Sequence, residues 1–436
     1  METKMKVKSS FTVLLTVTLF LMVILSTNGC SYEKKSDIQA RVDSVENSLR
    51  LACFIKGEPL ARLNILDRMK HYNTPGLSLA VINNGRIEWA RGYGVKETGG
   101  TDSVTTETLF QAASISKPVA ALGMLHLVDQ GKIELDEPIN KKLKSWKVPE
   151  NEFTVKEKVT LRRLLTHSAG LTVHGFPGYA ATEEVPTLIQ VINGEGPTNT
   201  DPIKVDILPG SQWRYSGGGF TLAQLLTGDV SGKSFHEYMR EAVLIPAGMA
   251  NSTYEQPLPA NRAADAASAH QADGSLIEGK WHTYPEKAAA GLWTTPTDLC
   301  CFAIELQKSA AGKSNKIISK ETADKMLTPG IGNWGLGLGI SGKGETKSFS
   351  HGGSNKGYIC ELFAYVGGGK GAAVMTNSDS GGDLAGEILR SISAVYGWED
   401  YKPKEVTIAK IDPAKLKSFI GEFYYTDQPD MIFHLA

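Results

Sequence analysis

Apolar residues recur along this chain in two periods. Val119, Leu122, Leu125 and Val128 follow at near-helical spacing and predict a helix after Pro118. Pro118 suits a first turn, where amide hydrogens lack intrahelical partners. Leu63, Leu66 and Met69 predict a helix over Leu60 to Tyr72, stopped by Pro75 and Gly76. Leu161, Leu164 and Leu165 predict another, with Gly170 as its C-terminal cap. FTLAQLLTGDVSG, Thr297 to Leu306 and Leu384 to Tyr396 complete the predicted helices. Period-2 alternation marks the strands. Leu77, Leu79 and Val81 run into a turn at Asn83-Asn84-Gly85, and Ile87 to Tyr93 returns as a hairpin. WGLGLGIS, KSFSHGGS, GYICELFAYV and GAAVMTN are short, apolar and edged by glycine, as strands are. The order is helix, two strands, a mainly helical middle, several strands, helix. It predicts an α+β fold, an antiparallel β-sheet flanked by helices, with a mainly helical region inserted over about residues 140–290. Residues 173–212 have no clean periodicity and are expected as ordered loops.

The two ends stand apart from this pattern. Lys4, Lys6 and Lys8 precede an apolar run from Phe11 to Leu25, then small or polar residues and Cys30, so residues 1–30 read as an export signal. Residues 31–58 begin polar and are expected as a tether and the start of a helix. Residues 59–400 hold the periodic elements. Residues 401–436 begin to alternate near the end, as either a short hairpin or a truncated β element.

Composition adds exclusions rather than a function. With 436 residues there is room for one large domain or two modest ones. A net charge of −1 argues against a nucleic-acid partner. No C-x-x-C pair occurs and the nine histidines are scattered, so no metal is expected. Cys300 and Cys301, in an apolar helical context, read as small buried hydrophobes; no disulfide is assigned.

Candidate chemistry begins at Ser114 and Lys117. They stand three apart before the predicted helix, so they share a face and the amine reaches the hydroxyl. A free serine is a weak nucleophile and needs such a neighbour. Ser31 and Lys34 repeat the pattern without a helix and read as chance. Tyr215 precedes Ser216, three glycines and a helix; a tyrosine there either shuttles protons or packs in a turn. His351-Gly352-Gly353 ends a predicted strand, where glycines admit a ligand and a histidine donates to a substrate carboxylate, helps a proton relay, or is simply hydrogen-bonded at a strand edge.

Taken together, SISK (Ser114 to Lys117), YSG (Tyr215 to Gly217) and HGG (His351 to Gly353) resemble a known order of motifs. It is that of the family joining class C β-lactamases, low-molecular-weight D-alanyl-D-alanine carboxypeptidases and related esterases. PGLSLAVINNGRIEWARGYG, LRRLLTHSAGL and AAAGLWTTPTDLCCFA support it, over roughly residues 60–397. The resemblance implies a β-lactamase/transpeptidase-like fold. It implies that Ser114 is the nucleophile of an acyl-enzyme and that Lys117 and Tyr215 share the proton work. It further implies an oxyanion hole of the Ser114 and Ser354 amides and substrate contacts at Gly217, His351, Gly352 and Gly353. A helix start disfavours a charged Lys117 while a phenolate favours one, so Lys117 and Tyr215 titrate as a pair. Cys30 resembles the lipidated cysteine of bacterial lipoproteins, implying a membrane partner through a lipid anchor in the cell envelope. The family's leucine three residues before the cysteine is replaced here by Thr27.

Two departures shape the substrate expectation. Gly217 stands where β-lactamases carry asparagine, and His351 where they carry lysine. Both favour a hydrolase of esters, D-amino-acid peptides or amides over a class C-type β-lactamase. A non-catalytic binding lipoprotein is the reading from a different class, and it has no need of Ser114, Lys117 and Tyr215 together. The partner is then a small-molecule or peptide substrate, and no cofactor is implied. Gly337, Gly339 and Gly342 satisfy G-x-G-x-x-G before strand signals rather than a helix, so they carry no dinucleotide. G-x-S-x-G is absent.

Overall fold

The computed structural model describes residues 35–409, 415, 417–425 and 428–435. The predicted export segment and Cys30 lie outside them. The predicted hairpin forms as β1 (Gly76–Asn83) and β2 (Arg86–Gly94). Its turn residues Asn84 and Gly85 take φ of 53° and 70°, the conformation hairpin turns need. The later strands are β3 (Gly339–Ser341), β4 (Ser348–Asn355), β5 (Tyr358–Tyr365) and β6 (Gly371–Thr376). They join the hairpin in one six-stranded antiparallel sheet of order β2-β1-β6-β5-β4-β3. The hairpin precedes, and the other strands follow, a long stretch that contributes nothing to this sheet among the described residues.

Alternation sorts the side chains into two cores. Leu77, Leu79, Val81, Phe363 and Val374 point to one face, packed against residues 35–46 and helix α4 (Gly381–Tyr396). Ala80, Ile82, Leu362, Ala373 and Met375 point to the other. There they meet α1 (Ser116–Asp129) and α3 (Pro296–Ala310). Each fully buried aliphatic or aromatic side chain contributes about 1.5–3 kcal/mol. Beyond α1 lie α2 (Gly217–Ser231), the short helices Leu161–Leu165 and Leu188–Asn193, and long loops.

Four local expectations change. Residues 35–46 are helical rather than a tether: Val42, Val45 and Leu49 are buried, and Arg41 pairs with Glu88 at 2.9 Å. The next helix spans Ile65–His71, because Asn64 accepts from the Leu66 amide and caps it. Its buried residues are Ile65 and Met69, and Leu66 is exposed. Helix Leu161–Leu165 is capped by Thr166, while Gly170, at φ 71°, sits in the following turn against Ile207 O. Finally, α1 has no single apolar face. Its residues through Leu125 are all buried, because Ala120, Ala121 and Gly123 let neighbours close in on the far side. A Cβ on Gly123 would lie 2.6 Å from Met239 Sδ. Near the C-terminal end, Gly421–Tyr425 pairs antiparallel with Gln428–Leu435.

Candidate active site

The sheet and the helical region meet at the start of α1. A single turn, Ala113–Ile115, runs into the helix and sets Ser114 beside Lys117. Lys117 Nζ donates to Ser114 Oγ at 3.0 Å and to Ala289 O at 2.8 Å. The lysine is 2% exposed, and burial alone lowers its pKa from 10.5 to about 7. The turn is fastened from outside. Tyr254 Oη donates to Ser116 O (2.7 Å), the Leu292 amide to Ser116 Oγ (2.9 Å) and the Ala112 amide to Leu292 O (2.8 Å). Ala113 is held at φ 49°, a left-handed conformation that an alanine takes at a cost of about 1–2 kcal/mol. His167 (φ 54°) and Val173 (φ 62°) are strained in the same sense around the same site.

Tyr215 comes in on the N-terminus of α2. Ser216 caps that helix, its Oγ accepting from the Gly219 amide at 3.0 Å. The tyrosine ring lies 4.9 Å from Lys117 Nζ. Burial raises the Tyr215 pKa well above 10, and a hydrogen bond with Ser114 opposes it only in part. Burial thus pushes the two groups toward one state, a neutral amine beside a neutral phenol. His167 stacks on Tyr215 at 4.2 Å. Its Nδ1 accepts from the Ser216 amide at 3.1 Å, so Nε2 carries the hydrogen, and Nε2 is buried without a partner in the protein. Burial lowers the His167 pKa and keeps the ring neutral.

The third predicted motif arrives on β4. Its outer pairing with β3 ends at Ser350, so His351 to Asn355 run on without a strand on that edge. Gly353 passes against the serine turn so closely that a Cβ would lie 2.3 Å from Ala112 O. Asn355 Nδ2 fastens the strand by donating to Gln111 Oε1 (2.7 Å) and Ala290 O (3.0 Å). Ser354 lies between Gly353 and Asn355 and is exposed.

The fold therefore gathers Ser114, Lys117, Tyr215, His351 and Gly353. It does not use three residues as expected. His351 Nδ1 donates to Gly352 O at 2.6 Å, which leaves the buried Nε2 a bare acceptor. Burial, with the Lys117 charge second, lowers its pKa to about 3. A neutral ring with an acceptor tip cannot donate to a carboxylate. Gly352 alternates away from the serine, and a Cβ on it would meet Glu361 Oε1 at 3.0 Å. Gly217 is buried: its amide donates to His174 O at 3.0 Å, and a Cβ would lie 2.8 Å from Phe176 Cε2. The 174–176 loop fills the space an asparagine side chain would need.

Other contributors carry no side-chain signal in the sequence. The partner of Lys117 at Ala289 is a backbone carbonyl, and two of the three fasteners of the serine turn are the backbone amide and carbonyl of Leu292. AAAGLWTTPTDLCCFA contains Ala289 and Leu292, so only its match to the family pointed there. Cys53, Cys300, Cys301 and Cys360 are free thiols, with Cys300 and Cys360 buried. Among the described residues no metal-holding cluster occurs, and no helix is long and apolar enough to cross a membrane.

Comparison with known proteins bears on the family and the fold. The family model described as Beta-lactamase matches residues 62–395. Protein flp of Staphylococcus aureus (strain MW2) is 24% identical over 279 residues, covering 60% of this chain and 52% of that protein. The chain spans about half the length of the curated relatives it matches. The octameric penicillin-binding protein homologue from Pyrococcus abyssi superposes with a TM-score of 0.65 at 25% identity, covering 78% of this chain and 77% of its own. The D-amino acid amidase from Ochrobactrum anthropi SV3 shares the fold, with a TM-score of 0.59 at 21% identity and coverage of 76% and 95%.

Proposed function

The chain belongs to the beta-lactamase family, and from that premise we propose that it is a serine hydrolase working through an acyl-enzyme on Ser114. The observation that carries this reading is the buried Lys117 amine, 3.0 Å from Ser114 Oγ, with a pKa lowered to about 7. A binding protein gains nothing from burying a lysine in that form.

In this mechanism the neutral amine takes the Ser114 proton as Oγ attacks the substrate carbonyl. The Oγ–C bond forms and the carbonyl oxygen becomes an oxyanion. The amides of Ser114 and Ser354 receive it, and each such donor is worth about 2.7–4 kcal/mol in a transition state. Tyr215, a neutral phenol beside Lys117, passes a proton to the leaving atom as its bond to carbon breaks. Water then attacks the acyl-enzyme by the reverse path. Substrates are esters, D-amino-acid peptides or amides. A β-lactam fits the same acylation, but the closed space at Gly217 and the acceptor tip of His351 support hydrolysis of other carbonyls.

Ser114→Ala tests the reading with a chromogenic ester and a labelled penicillin. The variant is expected to lose both turnover and label; a variant that hydrolyses and labels like the wild type ends the proposal. Export and lipid attachment at Cys30 belong to the same proposal and place the catalytic domain in the cell envelope.

A further inference from the structure

The proton that leaves Ser114 must reach the leaving atom of the substrate, so that atom lies within reach of Tyr215 and Lys117. The walls around Tyr215 therefore decide which leaving groups fit. His167, His174, Trp213, Trp334 and His351 all make ring contacts with Tyr215, at 4.2 to 6.3 Å. Trp334 also touches His167 (5.2 Å), His351 (5.3 Å) and Trp213 (5.7 Å), closing the group into one cluster.

Burial lowers the pKa of His167, His174 and His351, so the rings of the cluster are uncharged at neutral pH. Among the described residues, Lys117 is the one cation lying over any of these rings. Arg214, next in sequence to Tyr215, is paired with Asp206. His351 turns its acceptor nitrogen, not an N–H, away from Gly352. Trp213 and Trp334 are half-buried with both indole nitrogens shielded from solvent, so the side-chain surface they expose is ring carbon. Flat carbon whose neighbouring cations, Lys117 and Arg214, are already engaged by Ser114 and Asp206 suits an aromatic ring and disfavours a carboxylate, which would be desolvated without a free counter-charge.

We propose that this site takes substrates whose leaving group is a neutral aromatic alcohol, and discriminates against leaving groups that end in a carboxylate. The proposal rests on the acyl-enzyme reading above. In the acylation step the Ser114 Oγ–carbonyl bond forms and the carbonyl–aryloxy bond breaks. The electron pair leaves with the aryl oxygen, and the serine proton reaches that oxygen through Lys117 and Tyr215.

Three esters of one acyl group test it: methyl, phenyl and meta-carboxyphenyl. A meta carboxylate scarcely alters the leaving ability of the phenol, so the aryl pair isolates recognition. The wild type is expected to show kcat/KM about tenfold or more higher for phenyl than for carboxyphenyl, on the scale of pocket discrimination. Trp334→Ala should lower kcat/KM for the phenyl ester more than for the methyl ester, chiefly through KM. Trp334→Phe should restore most of that difference. Equal or better turnover of the carboxyphenyl ester, or equal losses on phenyl and methyl esters in Trp334→Ala, overturns the proposal. Failure of the acyl-enzyme reading shows separately, as no adduct on Ser114 with any of the three, and removes this proposal with it.

Discussion

Replacing Lys117 by methionine should inactivate the protein and stabilise it at the same time. In the unfolded chain this amine titrates near 10.5; burial brings it to about 7 in the folded protein. The folded state therefore binds fewer protons than the unfolded state between those limits, and wild-type stability rises with pH across them. Below pH 7 both states are protonated and the full penalty is present. At about 1.4 kcal/mol per pH unit it amounts to about 5 kcal/mol near pH 6. Lys117→Met removes the penalty while nearly keeping the volume. It also leaves Ser114 Oγ and Ala289 O without their donor, which costs about 1–3 kcal/mol for each group that stays buried. Ser114 is only part-buried and its hydroxyl can turn to solvent, so Ala289 O alone stays buried and unpaired, and the net expectation is a gain of about 2–4 kcal/mol at pH 6. The gain shrinks as pH rises from 7 toward 10.5, and only above 10.5 is the wild-type amine neutral in both states. Urea unfolding of the two proteins in parallel, followed by tryptophan fluorescence at pH 6, 7, 8 and 9, measures the difference. A variant less stable than wild type at pH 6, or a difference that does not change with pH, would refute the reasoning.

Three further outcomes follow from the same geometry. Acylation of the wild type should rise through pH 7 as Lys117 loses its proton, and Tyr215→Phe should lower the rate by about 10²–10⁴ without moving that limb; stopped-flow acylation with an aryl ester across pH 5–9 reads both. Gly217→Asn should lower stability by about 1–3 kcal/mol rather than confer β-lactam turnover, because Phe176 Cε2 sits 2.8 Å from the new Cβ; thermal unfolding and a chromogenic cephalosporin check the two halves. Cys30→Ser should shift the expressed protein from the membrane to the soluble fraction, as detergent partitioning will report; unchanged partitioning would remove lipid attachment from the account.

The legible parts of this chain were those in which side chains carry the information. The Ser114–Lys117 spacing needed only a helix beginning in the right place, and Pro118 marked it. The hairpin and the strands from Gly339 to Thr376 announced themselves by alternation and glycine-bounded ends. What escaped was written in backbone. Nothing in the residue types indicates that Ala113 is left-handed, or that the carbonyl of Ala289 holds the lysine. The role of Gly217 depended on a loop more than forty residues earlier in the chain folding over it. Which nitrogen of His351 carries its hydrogen was not legible, because a hydrogen bond to the neighbouring Gly352 carbonyl decides its tautomer. Residues 35–46 read as a tether because Val42, Val45 and Leu49 are too sparse a stripe among polar residues until the sheet is there to receive them.

The central claim is that Ser114 is the nucleophile that forms the covalent enzyme adduct. Intact-mass analysis after incubation with a fluorophosphonate, followed by peptide mapping, tests it most directly. The account predicts one adduct per chain, on the peptide carrying Ser114, absent in Ser114→Ala and slowed in Lys117→Met. An adduct on another residue, or one that persists undiminished in Ser114→Ala, would contradict it.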